Sequence, residues 1–181
     1  MITRSVEARA YHEAGHATVA CMHGIPFEGM LVEPDQGGAF QARTYGFDLG
    51  AWISEGGRDG ELRIQRALEV LAAGEAAQLI QTGNGLDSAW GAAKDWNQAS
   101  TILHAVRNDD GTPLDGATML VWWERARSRV AEIFGAKGLE WNAVSNLAKA
   151  LMTTAKLDFD QAKRIVDSAL STTEGTTASH E

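Results

Sequence analysis

The chain has 181 residues, 44% hydrophobic and 22% charged, which suits one soluble globular core and leaves little room for two. A formal net charge of −8 disfavours nucleic acid or an anionic membrane surface as the main partner, and a single cysteine excludes an internal disulfide. No run of about 18 apolar residues is present to span a bilayer, and no apolar leader opens the chain, so a cytoplasmic protein is expected.

The first predicted helix runs from about Ser5 to His23, with Thr3 or Ser5 as N-cap and Gly24 and Pro26 as the stop. It carries Tyr-His-Glu-Ala-Gly-His-Ala over residues 11–17. His12 and His16 stand at i and i+4, one above the other on the same helix face, a spacing that lets two imidazoles grip one metal ion. Glu13 follows the first histidine and would reach a water on that metal. Gly15 costs the helix about 1 kcal/mol relative to alanine and implies close approach of another backbone or of the metal's surroundings. Taken alone, the pattern also occurs in ordinary helices.

Residues 27–33 and 39–47 read as two short strands around a Pro-Asp-Gln-Gly-Gly turn, giving a hairpin or an irregular loop. From Asp59 the spacing of Leu62, Leu68, Leu71, Ala72, Leu79 and Ile80 is helical, ended by Gly83-Asn84-Gly85. Ala73-Gly74 marks either a tight helix crossing or a break. A loop over 85–91 holds Trp90, and Ala92 to Val106 reads as a helix stopped by Asn108-Asp109-Asp110-Gly111. A further helix spans 115–134, with Met119, Trp122, Trp123, Ala126, Val130 and Ile133 inward. Two adjacent tryptophans cannot share a helix face, so one is expected to be partly exposed. Arg125, Arg127 and Arg129 read as a solvated face, and Cys21 as a small core residue. Trp141 to Leu151 forms the next amphipathic stretch, and Asp158 caps the last helix. The Ser/Thr/Gly-rich segment 171–181 is expected to be a disordered tail. No internal repeat or linker divides the chain.

A zinc hydrolase holds its metal with three protein ligands and leaves one position for water. His23 lies about 10 Å along the axis from His16, too far to share an ion. His180 falls in the tail. A carboxylate is the better third ligand, but composition alone does not choose it.

Four segments together resemble the peptidase domain of the FtsH-type ATP-dependent zinc metalloproteases. Tyr11–Ala17 is similar to that family's zinc motif. Leu71-Ala-Ala-Gly-Glu-Ala-Ala-Gln-Leu-Ile80 is similar to its Gly-Gly-Arg-x-Ala-Glu helix. Gly91-Ala-Ala-Lys-Asp95-Trp-Asn-Gln-Ala99-Ser-Thr resembles its Gly-Ala-x-x-Asp segment, and residues 151–166 resemble its closing helices. The resemblance implies one zinc metallopeptidase domain over residues 1–170, mostly α (α+β), a helical zincin-like fold with a small β-hairpin or sheet after the first helix. It further implies Zn2+ on His12, His16 and Asp95, with Glu13 as general base. Asp95 near a helix start also has a purely local reading, as a first-turn carboxylate on the helix dipole. The family's Gly-Gly-Arg is Ala73-Gly74-Glu75 here. Relatives carry an ATPase module, and no Gly-x-x-x-x-Gly-Lys-[Ser/Thr] phosphate loop occurs in this sequence. The expectation is therefore a zinc endopeptidase acting on unfolded or exposed polypeptide, or on polypeptide delivered by a partner, with a separate ATPase or self-association as the associations to look for. The alternative is a non-catalytic, zinc-stabilised binding module or adaptor on the same fold.

Overall fold

A computed structural model of the protein describes residues 2–34, 40–55, 59–83, 89–108, 110–135 and 137–171. Within them the chain is mostly helical, with one small three-stranded antiparallel sheet. The order is α1 (Ile2–His23), β1 (Gly29–Pro34), β2 (Phe40–Tyr45), α2 (Leu49–Ser54), α3 (Gly60–Thr82), α4 (Ala89–Ala105), α5 (Gly116–Gly135), α6 (Leu139–Thr154), β3 (Lys156–Asp158) and α7 (Phe159–Leu170). No helix among the described residues is long and apolar enough to cross a membrane.

The central element is α1, which packs against α3, α6, α7 and β2. It begins at Ile2, so Thr3 and Ser5 lie inside the helix rather than capping it. It ends in a Schellman turn: Gly24 takes φ +67°, its N–H donates to the Cys21 carbonyl, and the Ile25 N–H donates to the Ala20 carbonyl. Ala10, Ala14, Ala17, Val19 and Ala20 are fully buried, which fits a helix enclosed on most sides.

The α1–α3 crossing explains Gly15. A Cβ there would lie 2.3 Å from the Ala73 carbonyl oxygen and 2.8 Å from the Ala77 Cβ. The helix α3 is continuous through Ala73-Gly74, so this pair is a crossing point and not a break. The two helices run antiparallel, as successive bonds Glu7–Gln81, His12–Gln78 and His16–Val70 record. Leu62 and Leu79, part of the apolar periodicity of α3, are nevertheless exposed.

The sheet order is β2–β1–β3. Strand β1 pairs antiparallel with β2, Gly29 opposite Tyr45 through Pro34 opposite Phe40, and with β3, Gly29 opposite Asp158. Met30, Val32 and Leu157 bury their side chains in the core. The hairpin expected from the sequence is thus present. Its turn at 35–39 lies outside the described residues, while β3 and α2 carried too few residues for the periodicity to reveal them.

Helix α4 starts at Ala89 and not Ala92, so Trp90 is helical, and the rest of the anticipated loop lies outside the described residues. On α5, Met119, Trp123, Ala126, Val130 and Phe134 are buried, while Trp122 and Ile133 are half-buried. Asp158 caps α7 through a full capping box with Gln161. The tail beyond Ser171, His180 included, lies outside the described residues.

Candidate metal centre

Three side chains that sequence reasoning selected come together inside the helical layer. His12 and His16 on α1 are each 6% exposed, and Asp95 on α4 is 7% exposed. The two Nε2 atoms are 3.0 Å apart, and Asp95 Oδ2 lies 3.3 Å from that of His12 and 3.4 Å from that of His16. These are the only three His, Cys, Asp or Glu residues among the described ones that converge in this way.

Asp95 reaches the histidines because α4 is docked by its neighbours. Asp95, Ala99 and Leu103 recur every four residues and share one buried face, and Trp96 packs on Trp123 of α5 with ring centroids 5.6 Å apart. Since α4 starts at Ala89, Asp95 sits in the second turn, beyond the reach of the N-terminal dipole. Its local electrostatic reading loses its basis.

Helix α3 supports the pair of histidines from behind. Val70, Gly74 and Gln78 are spaced by four and line one helix face. The His16 Nδ1–H donates to the Val70 carbonyl at 2.7 Å. A carbonyl oxygen only accepts, so Nδ1 carries a proton, and in the neutral ring that a metal requires the His16 Nε2 lone pair faces Asp95. His12 Nδ1 lies 3.1 Å from Gln78 Oε1, which orients that ring in the same sense. Gly74 supplies clearance: a Cβ there would stand 2.4 Å from His16 Nε2 and 2.7 Å from His12 Nε2.

This arrangement sets three electron-pair donors against one another. Among the described residues, the buried Asp95 Oδ2 is met by the two imidazoles and by no other hydrogen-bonding group. Zinc with bonds of about 2.0–2.1 Å in tetrahedral geometry separates neighbouring ligand atoms by about 3.3 Å. The observed separations of 3.0, 3.3 and 3.4 Å fit that triangle. Two imidazoles and a carboxylate are also a donor set suited to zinc.

The electrostatics agree. Burial alone lowers the His16 pKa, but the Asp95 carboxylate, the Glu13 charge and the Val70 carbonyl outweigh it and raise it to about 9. Burial likewise pushes the Asp95 carboxyl up, and His16 and His12 overcome that and hold it well below the usual carboxylate range. The pocket therefore attracts positive charge, a proton when no metal competes.

Glu13 is half-buried and stays out of the ligand triangle, held instead by Thr44 of β2. The Thr44 N–H donates to Glu13 Oε2, and the Thr44 hydroxyl donates to the Glu13 carbonyl at 3.2 Å. His23 is remote from the centre and pairs with Glu69 of α3 at 2.7 Å. His104 is exposed on α4 and bonds within its own turn. Cys21 is buried, and burial pushes its thiol up to about 12. Glu75, which replaces the arginine of the resembled helix, pairs with Arg127 at 3.4 Å, and Arg129 pairs with Glu132, so two of the three α5 arginines have local partners.

Sequence reasoning missed Val70, Gly74, Gln78 and Thr44. Gly74 and Gln78 lay in a recognised segment, and their spacing from Val70 was the available signal. Thr44 had none, because its role depends on how a strand meets a helix. Comparison of the chain with models of known protein families and with curated proteins returned no match.

Proposed function

We propose that this chain is a zinc-dependent endopeptidase, with His12, His16 and Asp95 as metal ligands and Glu13 as general base. The observation that carries the reading is the convergence of three buried donors at zinc-ligand separations, beside a glutamate held outside the triangle. The resemblance of the four sequence segments to the FtsH-type peptidase domain supports the same assignment and a zincin-like identity for the fold over residues 1–170. Held by His12, His16 and Asp95, zinc would supply Lewis-acid chemistry that activates water near neutral pH.

The residues of the chain do the remainder. Glu13 accepts a proton from water as its oxygen bonds to the peptide carbonyl carbon, and returns it to the amine as the C–N bond breaks. The outer edge of β2 holds an extended substrate by main-chain hydrogen bonds. The substrate is unfolded or partner-delivered polypeptide in the cytoplasm, the partner being a separate ATPase or a second copy of the chain in a self-associated form. Elemental analysis and casein hydrolysis with and without chelator test the proposal: one zinc per chain and chelator-sensitive cleavage are expected. Glu13→Gln should retain zinc and lose turnover by about 100-fold or more. Zinc without hydrolysis leaves a zinc-stabilised binding module, and hydrolysis unchanged in Glu13→Gln removes Glu13 from the mechanism.

A further inference from the structure

The base and the edge of the sheet meet at one residue, Thr44. The Val32 N–H bonds the Ala155 carbonyl on the β3 side at 2.8 Å. Main-chain groups alternate sides along a strand, so Met30 and Val32 face β3 while Gly29, Leu31 and Glu33 face β2. Their register partners Tyr45, Arg43 and Gln41 turn inward, and Ala42 and Thr44 turn their N–H and C=O groups outward. Among the described residues β2 pairs with β1 alone, so this outward side is a strand edge. The Thr44 N–H on that edge is the group that Glu13 Oε2 accepts from, and the Thr44 hydroxyl holds the Glu13 carbonyl as well.

We infer that Thr44 is the positioning residue for Glu13 and thereby sets the register of a polypeptide on the β2 edge, an inference that rests on the endopeptidase reading. Its N–H fixes Oε2 and leaves Oε1 for proton transfer. An added strand can use the Ala42 N–H, the Ala42 carbonyl and the Thr44 carbonyl. It finds the Thr44 N–H already taken. One substrate carbonyl then lies beside the base without a donor from β2, and that carbonyl is the one presented for attack.

Amide hydrogen exchange on the full chain tests the clasp without reference to turnover. An outward edge amide exchanges quickly unless something holds it. The Thr44 amide should be protected and shifted downfield in the wild type, and both effects should vanish in Glu13→Ala. Thr44→Pro removes the N–H at an edge position where the β1–β2 ladder does not use it, a placement that strands tolerate. It should cut peptide kcat about 10-fold or more, with KM changed by no more than about 2-fold and zinc affinity unaltered. Thr44→Ser should behave as the wild type. Equal exchange at Thr44 in the wild type and Glu13→Ala, or wild-type kcat in Thr44→Pro, overturns the inference. A zinc-loaded wild type that cleaves nothing sinks the endopeptidase reading instead, and the exchange data still decide the clasp.

Discussion

At the scale of single residues, the proposed centre offers the same pocket to a proton and, on the zinc reading, to a metal. His16 has its pKa raised from 6.5 to about 9 in the folded chain, chiefly by Asp95 against the opposing effect of burial. The stabilisation it gives the metal-free fold is fully present below pH 6.5 and is lost as pH rises through about 9. Asp95 is shifted the other way, from 3.8 downward, so its contribution is present above pH 3.8 and is lost as pH falls through its lower folded value. Metal-free protein should therefore be most stable between about pH 4 and 6.5, as chemical denaturation across pH would record. Zinc needs the deprotonated ring, so its binding at pH 7 should release about one proton per ion. Calorimetric titrations in buffers of different ionisation enthalpy measure that release. Zero release would mean that His16 is not protonated in the metal-free site.

At the scale of elements, two glycines govern how α1 meets α3, and they make separate demands. Gly15 lets the backbones cross, since its Cβ would strike the Ala73 carbonyl. Gly74 lets the imidazoles fit, since its Cβ would strike their Nε2 atoms. Gly15→Ala should destabilise the fold by about 1–3 kcal/mol, the usual range for overpacking. Gly74→Ala should instead displace the histidines and weaken zinc retention while the helical signal persists. Chelator competition and circular dichroism on both variants separate the two outcomes. Unaltered zinc affinity in Gly74→Ala would contradict the role given to that residue.

The histidine pair was legible in the sequence because its signal is local, a spacing of four on a helix whose end Gly24 marks. Asp95 was not legible from spacing, because nothing within α4 tells which carboxylate faces another helix. Only the resemblance selected it. The long helices followed from periodicity, whereas β3, with three residues, is defined by its partner β1 and has no pattern of its own. Likewise Leu62 and Leu79 obeyed the helical period yet face outward, since periodicity identifies a face but not what covers it.

At the scale of the whole molecule, the proposed ligands arrive from α1 and α4, some eighty positions apart, so a bound ion would tie the chain's beginning to its middle. Anything that binds only the folded state adds RT ln(1 + [L]/Kd), about 2.7 kcal/mol at 100 times Kd. For a chain of this size that corresponds to a rise in Tm of about 5–10 °C. Scanning calorimetry with zinc and with chelator should show that gap, and it should close in Asp95→Ala. A gap that persists in Asp95→Ala would place the stabilising ion elsewhere.

The central claim is that one zinc ion sits between two imidazoles and the Asp95 carboxylate. Zinc K-edge X-ray absorption on the loaded protein tests it most directly. Two imidazole shells and light oxygen donors at about 2.0–2.2 Å, with no sulfur, are the result expected. A sulfur shell near about 2.3 Å, or fewer than two imidazoles, would contradict it.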